Sequence, residues 1–241
     1  MTLGGETLKK CFNVNGPCYS DENYMVNLDE RMIRIKELVD KQKYFVINRA
    51  RQYGKTTTLW ALRQYLKEEY NVLSTNFQRM SSAVFYDEHT FSREFANMIV
   101  RIIKNKNQEI SGFAKEDIQA LEKAVADHRI NMADLFYLLS SLCETSRKPV
   151  VLIIDEVDSA SNNQVFLDFL GLLRGYYLER KQTAIFHSVI LAGVYDIKNL
   201  KQKLRPDEVQ RYNSPWNIAA DFDIDMSFSV KDIEGMLSDY E

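Results

Sequence analysis

Apolar and polar positions alternate along this chain with two periods, and the shift between them sets out the elements. Residues 44–47, Tyr-Phe-Val-Ile, form a short apolar run that predicts a buried strand. A polar turn follows, then Leu59, Leu62 and Leu66 recur at helical spacing, which predicts a helix over 55–70. Residues 72–77 read as a second strand, and a strand, helix and strand in this order predict parallel pairing with a right-handed crossover. From 78 to 149 the pattern is mainly helical. Phe91, Phe95, Met98 and Ile102 form one apolar face, Ile118, Leu121 and Val125 another, and Met132, Leu135, Leu139 and Leu142 a third. Their spacing is that of core packing.

Residues 150–154, Val-Val-Leu-Ile-Ile, predict a strand buried on both faces. A helix over 164–181 turns Phe166, Phe169, Leu170 and Leu173 inward, and 186–192 predict a fourth strand. Residues 222–228 alternate as a fifth strand would, and 229–241 read as a capped helix with Ile233, Met236, Leu237 and Tyr240 on one face. Ahead of the first strand, Met32, Ile35 and Val39 mark a helix over 29–41 that covers the sheet. Residues 1–27 are an irregular leader with a turn signal at Asn15-Gly16-Pro17. The expected organisation is therefore a leader over 1–27, an α/β domain over 28–228, and the start of a C-terminal helical lid or linker over 229–241. The expected architecture is three-layer α/β/α with a mainly parallel five-stranded sheet and a helical insertion.

Composition narrows the chemistry without naming it. The 241 residues fit one large domain. A net charge of −3 argues against coating nucleic acid wholesale, although a local basic patch is compatible with it. Residues 221–241 are strongly acidic, with Lys231 the one cation against seven acids. Cys11, Cys18 and Cys143 form no C-x-x-C pair, and their odd number speaks against a disulfide framework. His89, His128 and His187 are too scattered for a histidine metal site. No apolar stretch reaches the length of a membrane span, and the N-terminus lacks the basic start and apolar core of a signal peptide, so a cytoplasmic location is expected.

Two stretches carry chemistry. The first is Asn48-Arg49-Ala50-Arg51-Gln52-Tyr53-Gly54-Lys55-Thr56-Thr57, between strand and helix. Backbone N–H groups at a helix N-terminus point at anions, and the helix dipole favours negative charge there. Gly54 allows close backbone approach, Lys55 would reach the β- and γ-phosphates, and the Thr56 hydroxyl would ligate Mg²⁺. The full phosphate-loop pattern, G-x-x-x-x-G-K-S/T, has glycine where this chain has Arg49. The second stretch is Asp155-Glu156-Val157-Asp158, directly after the buried 150–154 strand. Ligands of open α/β sheets sit at the carboxyl ends of strands, so Asp155 is placed for the Mg²⁺ shell and Glu156 to activate water as general base. Tyr195 and Asp196, just past the fourth strand, are candidates for sensing the γ-phosphate.

These two stretches, with Ser188-Val-Ile-Leu-Ala-Gly-Val-Tyr-Asp196, resemble bacterial AAA-like ATPases of the additional-strand, catalytic-glutamate division of P-loop NTPases. The likeness runs from about residue 23 to the end. It implies an ATP-binding and Mg²⁺-dependent hydrolytic module, and it makes arginine at the first loop position a subgroup feature. Arg49 and Arg51 then become candidates for shaping the loop or touching phosphate. Members often continue into a PD-(D/E)XK nuclease domain, but Glu179-Arg180-Lys181 lies in a helical pattern and reads as solvated surface. The rival reading is a nucleotide-gated switch or scaffold completed by a second copy or a partner protein, with Arg174, Arg205 and Arg211 as donors. A third is a nucleic-acid-directed effector, which the acidic balance weakens.

Overall fold

Four of the apolar runs become four strands of one parallel sheet. In the computed structural model, which describes residues 10–14, 16–50, 53–106, 110–194, 216–238 and 240, these are β1 (Tyr44–Asn48), β2 (Asn71–Asn76), β3 (Val150–Asp155) and β4 (Ser188–Gly193). Their order is β1-β4-β3-β2, every pairing parallel. The two inner strands, β3 and β4, are buried at all six positions, which is why their sequences are apolar without alternation.

Helices cover both faces. On one, α1 (Asp29–Asp40) and α2 (Lys55–Leu66) bring Met32, Ile35, Val39, Leu59, Leu62 and Leu66 against Phe45, Ile47, Val151, Ile153 and Ile190. On the other, α3 (Glu88–Lys104), α5 (Met132–Thr145) and α6 (Gln164–Glu179) pack Phe91, Phe95, Leu135, Leu139, Phe166 and Phe169 onto Tyr44, Leu73, Leu152, Ile154 and Leu191. Side chains of a strand alternate between faces, so neighbouring residues of one strand belong to different cores. Helix α4 (Lys115–Ala126) lies against α3 and α5, completing the helical insertion between β2 and β3. Sequence-local caps fix two of these helices: the Asp87 carboxylate accepts from the Thr90 N–H at 2.8 Å, and Asn131 with Asp134 forms a reciprocal capping pair. No helix among the described residues is long and apolar enough to cross a membrane.

Several element ends differ from the sequence expectation: α2 stops at Leu66 rather than 70, and β4 spans Ser188–Gly193 rather than 186–192. Strand β2 stops at Asn76, whose side chain accepts from the Gln78 N–H at 2.8 Å and turns the chain into a 3-10 segment, Phe77–Arg79. Phe77 thereby leaves the strand and enters the ring cluster of Phe85, Phe91, Phe95 and Phe166.

The larger correction concerns the fifth strand. Among the described residues the sheet has four strands, and residues 222–228 are not one of them. Their alternation is real: Phe222, Ile224 and Met226 are buried while Asp221, Asp223 and Asp225 are exposed. The segment also runs beside β1, where the Ala220 N–H donates to the Tyr44 carbonyl at 2.8 Å. Beyond that one bridge, arginine side chains take the carbonyls. Arg49 Nη2 donates to Phe222 O and Ile224 O at 3.2 and 3.0 Å, Arg34 to Asp223 O at 3.3 Å, and Arg31 to Ser227 O at 3.3 Å. Helix α7 (Val230–Ser238) follows, with no buried residue.

This segment is held by its apolar side chains. Phe222 stacks on Phe45 at 5.8 Å between ring centroids and 7° between planes. Phe222→Ala is expected to cost about 3 kcal/mol, the lower end for a buried aromatic truncation, lowering the denaturation midpoint at an unchanged m value. An unchanged midpoint would show that the segment contributes nothing to the β1 edge.

Candidate functional site

The carboxyl ends of β1, β3 and β4 meet at one edge of the sheet, and the two chemistry-bearing stretches leave from that edge. After Asn48 the chain passes Arg49 and Ala50 and enters α2 at Lys55 through Tyr53 and Gly54. Gly54 has φ +68°, in the left-handed region that a side chain disfavours. Helix α2 has no side-chain cap and no acid in its first turn. Its first N–H donors therefore lack the side-chain cap that most helix starts provide. Such an end suits an anion.

Lys55 is 7% exposed, with its ammonium inside the loop. Nζ donates to Arg49 O at 2.8 Å and to Ala50 O at 3.1 Å. Its partners are thus backbone carbonyls, acceptors that a phosphate can replace. The next residue crosses to the second stretch: Thr56 Oγ1 donates to Asp155 Oδ2 at 3.1 Å. Asp155 ends β3 and is buried. Its other oxygen accepts the Glu156 N–H at 2.9 Å. Burial raises the Asp155 pKa above the ordinary carboxylate value, while the bonds from Glu156 and Thr56 and the charge of Lys55 oppose that shift.

Glu156 has φ 54° and ψ 41°, a left-handed backbone at a non-glycine residue. Such a conformation costs on the order of 1–3 kcal/mol and persists where its surroundings fix it. Here the Asp155 carboxylate takes the Glu156 N–H, and the Glu156 carbonyl accepts from Ser159 N and Ser159 Oγ at 3.2 and 2.9 Å. The side chain of Glu156 is half-buried at the end of this turn.

Thr56, Lys55, Asp155 and Glu156 thus converge on one sheet edge. Other sequence candidates have other surroundings. The Thr57 hydroxyl accepts the Cys18 N–H at 3.1 Å, tying the leader to the first turn of α2. Tyr53 is largely exposed beside Gly54. Arg49 turns toward the C-terminal segment: besides the Phe222 and Ile224 carbonyls, its guanidinium lies 5.4 Å from the Phe222 ring centroid. The guanidinium also donates to the Asn48 carbonyl at 3.0 Å, so the side chain lies between the end of β1 and the C-terminal segment. Arg174 lies half-buried on α6. Arg51, Gln52, Tyr195, Asp196, Arg205 and Arg211 lie outside the described residues.

Sequence reasoning passed over Asp158. Its Oδ2 accepts the Val194 N–H at 2.5 Å, joining the acidic turn to the end of β4. The signal was a third acid two residues past Glu156 together with a glycine, Gly193, closing β4.

The sequence of the AAA-like domain family matches residues 15–241. The chain belongs to that family. Among solved structures, the Walker-type ATPase PABY2304 of Pyrococcus abyssi matches with a TM-score of 0.61 and 14% identity, over 94% of this chain and 60% of that one. The ORC1 protein of Aeropyrum pernix, solved in complex with DNA, matches with a TM-score of 0.43 and 12% identity, over 75% of this chain and 44% of that one. No curated protein matches the chain. The AAA-like chain thus shares the fold of a Walker-type ATPase while spanning 60% of that protein's length.

The Asp155 shift has a sign that can be tested. With its pKa raised by folding, the folded chain holds this proton to higher pH than the unfolded chain does, so stability is lost as pH rises through that window, and the ionised carboxylate remains a cost at neutral pH. Asp155→Asn, measured without Mg²⁺ near pH 7, is expected to raise Tm, by about 2–4 °C for each kcal/mol relieved. A lower Tm would mean that the carboxylate stabilises the ligand-free fold.

Proposed function

We propose that this AAA-like chain binds ATP with Mg²⁺ at the 49–57 loop and hydrolyses it. The observation that supports this most is the 3.1 Å bond from Thr56 to Asp155, which joins an uncapped helix start to the acidic end of β3. Mg²⁺ demands few protein ligands, keeping waters and substrate phosphate oxygens in its shell, so one hydroxyl and one carboxylate are a sufficient donor set. When bound, the ion would neutralise charge developing on the phosphate oxygens.

In this reading the α2 N–H groups cradle the phosphates, and the Lys55 ammonium exchanges the Arg49 and Ala50 carbonyls for the β- and γ-phosphates. Thr56 and Asp155 would hold the ion. Glu156 accepts a proton from the water that attacks the γ-phosphorus, the β–γ bridging bond breaks, and ADP and phosphate leave. The left-handed backbone of Glu156 sets the direction of its Cα–Cβ bond, from which the carboxylate would reach the water.

A second reading is a nucleotide-gated switch with little turnover of its own. It is favoured by Arg49, whose guanidinium is committed to the carbonyls of Asn48, Phe222 and Ile224. Charge on the transferring phosphoryl group would then be met by an arginine supplied in trans. In that case turnover per molecule rises with protein concentration.

The two readings separate in one panel. Lys55→Ala is expected to abolish ATP binding by titration. Glu156→Gln is expected to keep Mg·ATP affinity and to lose turnover by about 10²–10⁴-fold, the range for removal of a general base. Unchanged hydrolysis by Glu156→Gln would remove Glu156 from the mechanism, and wild-type binding without turnover at any protein concentration would remove hydrolysis altogether.

A further inference from the structure

One peptide unit bridges the two halves of the site. The Gly193 carbonyl accepts the Arg49 N–H at 3.2 Å, extending the β1–β4 ladder one residue past Asn48 into the phosphate loop. The Val194 N–H, which belongs to the same planar peptide, donates to Asp158 Oδ2 at 2.5 Å. The carbonyl of a trans peptide points away from its N–H, so this unit connects partners on its two sides: the loop that carries Lys55 and Thr56 on one, the turn that carries Glu156 on the other.

The approach is close because residue 193 has no side chain. A Cβ there would stand 2.8 Å from Asp158 Oδ2 and 3.0 Å from Oδ1, distances that require the carboxylate to move. Asp158 is anchored on its own side as well. It lies in the 3-10 turn Val157–Ser159, and its carbonyl accepts from Ser161 N and Ser161 Oγ at 3.2 and 2.9 Å. Glu156, two residues earlier, starts this same turn from its left-handed conformation.

We propose that Asp158 is a positioning residue, which through the Gly193–Val194 peptide sets the spacing between the phosphate loop and the Glu156 turn. This rests on the hydrolytic reading above. Asp158 touches neither substrate nor ion in this account; it fixes the place from which Glu156 acts. A carboxylate is the suited side chain, since a charged acceptor strengthens a bond to a backbone N–H.

The test measures kcat, Mg·ATP affinity and Tm for wild type, Asp158→Ala, Asp158→Asn, Gly193→Ala and the Asp158→Ala/Gly193→Ala double variant. Asp158→Ala and Gly193→Ala are each expected to lower kcat at least about tenfold, as ångström-scale misplacement of a reacting group does, at near-constant affinity. Asp158→Asn, which keeps an acceptor oxygen, is expected to recover most of kcat. In the double variant the two losses should not multiply, because a Cβ at 193 meets no carboxylate once Asp158 is gone. A purely structural role would lower Tm without splitting kcat from affinity. Wild-type turnover with unaffected variants, or losses that multiply, would overturn the proposal alone. If Asp158→Ala does not fold, Gly193→Ala and Asp158→Asn carry the same comparison. A wild-type chain that binds Mg·ATP without turnover removes the hydrolytic reading and this proposal with it.

Discussion

The hydrogen bond from Thr56 to Asp155 is the constraint on which the site depends, since it sets the helix start against the acidic strand end. Each group alone would be unfavourable. Asp155 is a buried carboxylate, and the first donors of α2 have no side-chain cap. Together they partly answer one another, and the proposed Mg·ATP site would draw on both. The parallel sheet makes the meeting unavoidable: β1 and β3 run in the same direction on either side of β4, so the loop after one and the turn after the other emerge at the same end.

Arginine in place of the first loop glycine follows from the same packing. A glycine at position 49 would leave the carbonyls of Phe222 and Ile224 without the donor they now have. With arginine there, the backbone of residue 49 still serves the loop, its carbonyl holding Lys55 and its N–H holding Gly193, while the side chain reaches outward to the C-terminal segment. The loop and the segment beside β1 are therefore coupled through one residue.

Much of the fold was legible because burial on two faces leaves a plain mark. The runs 150–154 and 44–47 were read as strands for that reason, and Leu59, Leu62 and Leu66 placed α2 on one core. The caps at Asp87 and Asn131 were not read from the sequence, although both residue types are common at helix starts. The 222–228 segment misled for a physical reason: alternation records which side chains are buried, whereas strand pairing depends on which donors reach the backbone. Here those donors are Arg31, Arg34 and Arg49, distant in sequence. The residues at the site edge were legible as motifs, from Gly54 to Thr56 and from Asp155 to Glu156. Asp158 was not, because its partner is a backbone N–H 36 residues away, and main-chain partners leave no trace in residue type.

Amide hydrogen exchange with and without Mg·ATP tests most directly whether nucleotide sits where α2 starts against β3. The expected result is protection of the 53–58 amides together with those of 155–158, both absent in Lys55→Ala. Protection of neither stretch, or protection elsewhere that survives Lys55→Ala, would contradict a phosphate site at this edge.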